Sequence, residues 1–192
     1  MKKIVLFALI VLPAIFSLAQ NNMPDNIKNA IPSNYTVVDN QYYNSGMIAS
    51  ATINLKIEGD NACDKGLEDS VSVEIIIQEM RDNYVVQMQE EQVPFSDILP
   101  TKESLRLESD ENGFLVYGEP QVIDVDGGRL VYCTYTVKCI MSENESFEGV
   151  HILALQGSYA RQVSVELGGP ISSDKAISIA KSLLGTFSTI NL

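Results

Sequence analysis

The sequence predicts an α+β fold, a mainly antiparallel β-sheet with flanking helices arranged as an α-β-α sandwich, and three observations carry that expectation. Apolar and polar residues alternate with period 2 over residues 49–57, 71–77 and 161–167, the pattern of strands with one face buried. Asp126, Gly127 and Gly128 give a tight-turn signal between two extended runs. Near the end, Ala176, Ile177, Ala180, Leu183, Leu184 and Phe187 recur at spacings of one, three and four, which places them on one stripe of a helix.

Taken in order, Ile27, Ala30 and Ile31 allow one short helical turn that Pro32 ends. In residues 49–57, Ile53, Leu55 and Ile57 share a face opposite Asn54 and Lys56, and Val71, Val73, Ile75 and Ile77 do the same in the next strand. The two are expected to pair antiparallel across the Gly/Asp/Asn-rich loop 59–69. Met80, Tyr84 and Met88 recur at helical spacing while Tyr84, Val85 and Val86 suit a strand; of the two the helix is favoured for 79–93, covering the second face of the sheet. Pro94 and Pro100 mark 94–108 as loop with a short extended piece. Residues 114–117 and 121–125 read as short strands leading into the Asp126–Gly128 turn. The long run 129–141 is apolar on both faces, with Val131, Cys133, Tyr135 and Val137 on one and Leu130, Tyr132 and Ile140 on the other, so it is expected to be an interior strand. Residues 142–149 read as an acidic loop, and 150–155 with 161–167 as a hairpin. Ser172 or Ser173 is placed to cap the C-terminal amphipathic helix, packed on the sheet and ending at Gly185.

Residues 1–19 have the tripartite form of a secretory signal peptide: Lys2 and Lys3, an apolar stretch from Ile4 to Phe16, then Ser17 and Ala19 at the positions that a signal peptidase reads. The stretch is shorter than the roughly 20 residues of a membrane-spanning helix, and no basic cluster follows it. Cleavage is expected between Ala19 and Gln20, with no cysteine there to accept a lipid, giving a free periplasmic or secreted protein. The mature chain is expected to have a disordered start at 20–26 and one α+β domain over 27–192. Loss of Lys2 and Lys3 takes the formal charge from −12 to −14. With no Lys/Arg cluster, nucleic acid and anionic membrane surfaces are disfavoured partners.

Three cysteines enter an oxidising compartment on this reading, so a disulfide is available. Cys133 and Cys139 stand six residues apart in one strand, about 20 Å, against a Cα separation of at most about 7 Å for a disulfide. A bridge would therefore join Cys63 to Cys139 or Cys133. Metal-ligand spacing is poor: there is one histidine and no Cys-x-x-Cys pair, and no metal or cofactor is expected.

The order of elements after residue 114 is a strand, the turn at Gly127 and Gly128, a long strand containing Tyr135, a hairpin ending at Leu167, and a helix running into Gly185, Thr186 and Phe187. It resembles the PsbP-like fold, shared by a photosystem II subunit, a nuclear Ran-binding factor and many exported bacterial proteins. Ile31, Pro32, Ser33, Asn34 and Tyr35 are similar to that family's early Pro-aromatic stretch, although the family usually carries a tryptophan and this chain has none. The resemblance covers about half the chain and implies a binding or accessory role more often than catalysis.

Candidate chemistry is sparse. His151 is the one residue that titrates near neutrality; its parity sets it with Leu153 and Leu155 on the expected core face, which reads as structural. Ser158 lacks a nucleophile-elbow context. Asp124, Asp126 and Gly127 read as a turn, and the loop with Asp60, Asn61, Asp64, Glu68 and Asp69 has the charge density of a calcium site without its spacing. Glu90 and Glu91 read as a solvated element end. Tyr42 and Tyr43, beside Asn40, Gln41 and Asn44, offer an aromatic-polar contact surface for an envelope protein or a glycan. The sequence favours a non-enzymatic exported binding module, ahead of a hydrolase using two carboxylates or a calcium-responsive module.

Overall fold

The computed structural model describes residues 24–31, 33, 35–56, 70–79, 94–138 and 146–186. Among them, eight strands form one sheet in which every neighbouring pair is antiparallel. They are β1 (Thr36–Asn44), β2 (Ile48–Lys56), β3 (Ser70–Glu79), β4 (Leu115–Tyr117), β5 (Gln121–Val125), β6 (Gly128–Lys138), β7 (Ser146–Gly157) and β8 (Arg161–Gly169). The order across the sheet is β1-β2-β3-β8-β7-β6-β4, and β5 also pairs with β6. β5 lies along Gly128 to Tyr132 and β4 along Tyr135 to Val137, so the two short strands share one edge. The helices are α1 (Asp25–Ala30) and α2 (Ser173–Gly185), with 3-10 turns at Phe95–Ile98 and Lys102–Leu105.

One face of the sheet carries the main core. β2 contributes Ala49, Ala51, Ile53 and Leu55; β6 contributes Leu130; β7 contributes Val150, Ile152 and Ala154; β8 contributes Val163, Val165 and Leu167. Ile27 and Ala30 of α1 and Ala176, Ile179, Ala180, Leu183 and Leu184 of α2 belong to the same cluster. Each buried Leu or Ile there contributes about 1.5–3 kcal/mol of transfer free energy.

Several elements differ from the reading of the sequence. α1 begins at Asp25, inside the segment expected to be disordered, because the Pro24 carbonyl accepts from the N–H groups of Ile27 (3.1 Å) and Lys28 (3.2 Å). β1 has no counterpart in the pattern analysis. Its burial scarcely alternates, with Asn40 and Tyr42 half-buried and the rest exposed, and a bulge between Val37 and Asp39 breaks its register. The segment after Pro94 makes two 3-10 turns where an extended piece was expected. β7 starts at Ser146, so Gly149 is inside a strand, not at a loop end. The core face of β7 is Val150, Ile152 and Ala154, and His151, Leu153 and Leu155 point the other way, correcting the expected parity. Both phases of that strand are apolar, so alternation alone could not choose between them. Glu79 closes β3, while residues 80–93 of the expected helix lie outside the described residues.

The Asp126-Gly127 turn is where the sequence placed it. Gly127 takes φ +66°, the left-handed region that glycine enters without a Cβ clash. Its carbonyl accepts from Gly157 N–H (3.0 Å), tying the turn to the end of β7. α2 follows Ser172, whose carbonyl receives the Ala176 N–H (3.0 Å), although the Ser172 side chain makes no capping bond. Among the described residues no helix is long and apolar enough to cross a membrane.

Candidate functional site

The second face of the sheet has two unlike halves. Over β2, β3 and β8 the register places Ser50, Thr52, Asn54, Ser72, Glu74, Gln78, Gln162, Ser164 and Glu166 on it. Over β4, β6 and β7 it is apolar and aromatic. Val131 and Cys133 are fully buried there beneath Leu105 of the second 3-10 turn, with Tyr117 and Leu153 packed against them.

Four rings gather on the second half. Tyr135 of β6 stands opposite Tyr117 of β4 and Gly149 of β7, while His151 stands opposite Cys133 and Gly168. Ring centroids are 5.1 Å apart for Tyr135 and His151, 5.9 Å for Tyr117 and Tyr135, 6.0 Å for Tyr117 and His151, and 6.3 Å for Tyr135 and Phe147. The separations and tilts fall within the range of favourable edge and offset contacts.

Two strand glycines make this packing possible. A Cβ built on Gly149 would lie 2.1 Å from Cζ of Tyr135, and one on Gly168 would lie 2.9 Å from Nδ1 of His151. Each ring lies across a glycine of the next strand, in space that a side chain would fill, which is the close approach that glycine inside a strand marks.

The titratable groups are held neutral. Burial lowers the His151 pKa below its ordinary value of 6.5. Burial, reinforced by neighbouring Tyr117, pushes the Tyr135 phenol up to about 12. The Cys133 thiol is raised by burial first, against a smaller opposing effect of its bond to Gly118, with Glu119 adding the least; Sγ donates to the Gly118 carbonyl at 3.0 Å. At neutral pH His151, Tyr135 and Cys133 are therefore uncharged. The partly exposed rings can stack on a planar or apolar group.

The residues singled out in the sequence are scattered. Tyr42 and Tyr43 leave β1 on opposite faces, Tyr42 half-buried against the main core and Tyr43 exposed. Asp124 pairs with Arg129 across the hairpin at 2.9 Å, and Asp126 is exposed in the turn. Ser158 is exposed, its Oγ accepting from Arg161 N–H at 3.4 Å. Cys133 is a free, buried thiol. Cys63, Cys139, Glu90, Glu91 and the loop with Asp60, Asn61, Asp64, Glu68 and Asp69 lie outside the described residues. Among the described residues no three metal-ligating side chains converge. Glu74 and Glu166 do stand directly opposite each other on the polar half, both exposed.

The aromatic patch was not legible as a unit. The available signal was the shared parity of Cys133, Tyr135 and Val137 together with glycine at 149 and 168 inside strands. No protein-family model matches the chain, and no curated protein is significantly similar to it.

Proposed function

We propose that this chain is an exported, non-enzymatic binding or accessory module of the cell envelope, and that the partly exposed Tyr117, Tyr135 and His151, backed by buried Phe147, form its contact surface. The observation that carries the reading is the uncharged four-ring patch on the face opposite the main core, with Tyr135 and His151 seated over Gly149 and Gly168. Clustered aromatic rings that carry phenol and imidazole groups suit a protein surface or the apolar face of a sugar.

The charge state supports binding over catalysis, since a general base is most effective with a pKa near the working pH and the buried groups here are moved away from it. In this proposal the arrangement is an α-β-α sandwich of the PsbP-like kind, with α2 closing one face and residues 1–19 directing export before cleavage ahead of Gln20.

The test is crosslinking of the cell envelope followed by co-purification, comparing the wild-type chain with Tyr117→Ala, together with intact mass of the exported product. The proposal expects a specific protein or glycan adduct that Tyr117→Ala loses, and a mass beginning at Gln20. Equal recovery with both chains would reject the patch, and a product retaining residues 1–19 would reject the export reading.

A further inference from the structure

The two lateral edges of the sheet are finished differently. At the β4 edge the outward backbone is occupied: Leu115 N–H donates to Asp110 Oδ1 (3.1 Å), the Leu115 carbonyl accepts from Asp110 N–H (2.9 Å), and Tyr117 N–H donates to Ser109 Oγ (2.9 Å). β5 adds five residues to that edge and is entered through Pro120, which has no N–H to offer. The opposite edge is β1, nine residues long, and among the described residues nothing bonds to its outward backbone.

β1 also lacks the usual guards of an open edge. It carries no Lys, Arg or Pro, and its one charge is Asp39. The bulge at Val37/Asp39 interrupts only its beginning, leaving Asp39 to Asn44 in regular register. Exposed apolar side chains flank this stretch: Val38 is 65% exposed and Tyr43 56%, with Met47 and Ile48 at the adjoining turn.

We propose that β1 pairs antiparallel with β1 of a second copy of this chain, joining two sheets into one across a two-fold axis. Outward N–H and C=O groups in a row are satisfied by another extended backbone, so the occupant is a strand. Three features select the chain's own β1.

The chain carries a formal charge of −12, so copies repel wherever carboxylates meet, and β1 is a surface with a single one. The two-fold registers centred on Gln41 or Tyr42 set Asp39 opposite Tyr43 or Ser45 of the copy, never opposite the second Asp39. The amides of Asn40, Gln41 and Asn44 are donors and acceptors at once, so they are complementary to themselves. A two-fold contact uses the same edge of both copies, so it closes as a dimer and does not propagate into a filament. Strands of this length make a small interface, with dissociation constants on the order of micromolar.

Sedimentation velocity, on protein purified from cells expressing the whole sequence, tests this over concentrations of roughly 1–500 μM. The expected result is a monomer–dimer equilibrium that strengthens with added salt as charge repulsion is screened. Val38→Glu combined with Tyr43→Glu should weaken association at least about tenfold, by adding carboxylates to the edge of an already acidic chain and, in the register centred on Gln41, opposite Asp39 of the copy, while leaving the urea midpoint in place. Independently of that variant's folding, Gln41→Cys or Tyr42→Cys should oxidise to a covalent dimer faster than Thr52→Cys, because residues at the axis approach within disulfide distance. A monomer throughout the range, an unchanged dimer in the glutamate variant, equal crosslinking at position 52, or a monomer that instead takes a foreign extended peptide on β1 would each overturn the proposal.

Discussion

Gly149→Ala tests the packing of the aromatic patch most sharply. The added Cβ would stand 2.1 Å from Cζ, 2.3 Å from Oη and 2.6 Å from Cε2 of Tyr135. Ordinary carbon contact is about 3.5–4.0 Å, so the ring must move by about 1.5 Å or swing off β7. Swinging off forfeits its contacts with Tyr117, Phe147 and His151, each worth about 0.5–1.5 kcal/mol. Set against about 0.4–1 kcal/mol gained by restricting the unfolded chain, the net loss is about 0.5–4 kcal/mol. Release into water should also bring the Tyr135 phenol down from about 12 toward its ordinary 10. Urea denaturation reads the first effect and an ultraviolet tyrosinate titration the second. Gly185→Ala serves as the control, since a Cβ there meets nothing within 4 Å. A Gly149→Ala protein as stable as wild type within about 0.5 kcal/mol, with its last tyrosine still titrating at high pH, would refute the reasoning.

Three further outcomes follow from the same geometry. His151 has its pKa depressed by burial, so the unfolded chain takes up its proton first; stability should fall as pH drops below 6.5, and His151→Phe should remove that part of the slope in denaturant midpoints measured from pH 7.5 to 5.5. Gly128→Ala sets a Cβ 2.3 Å from the Leu155 carbonyl oxygen and 2.7 Å from Cα of Gln156; because backbone cannot rotate away, thermal unfolding should show a loss of about 2 kcal/mol or more. Glu74 and Glu166 are directly opposed like charges, so Glu166→Gln should raise stability by about 0.2–1 kcal/mol at low salt, an advantage that shrinks as salt is added.

How much of this was readable in the sequence depended on whether a residue's environment leaves a periodic trace. Strands buried on one side, such as β2 with Ala51, Ile53 and Leu55 inward, and the helix carrying Ala176, Ala180, Leu183 and Leu184 declare themselves. So does β6, whose Leu130 and Val131 are each fully buried on opposite faces. β1 left no trace, because its valines are exposed and its two half-buried positions are Asn40 and Tyr42, so no apolar alternation marks it as a strand. β7 announced a strand but not its phase, since Val150 and Ile152 compete with His151 and Leu153. The site was least legible of all. It depends on two glycines whose meaning is spatial: Gly149 and Gly168 matter only because Tyr135 and His151 arrive from neighbouring strands.

The binding claim is tested most directly by a photo-crosslinking amino acid placed at Tyr117 in the whole chain, expressed and exported in cells, with Ser178 on the exposed side of α2 as the matched position. The account predicts a discrete adduct from position 117 that position 178 does not give and that Gly149→Ala diminishes. The same adducts from both positions, or none from 117, would contradict it.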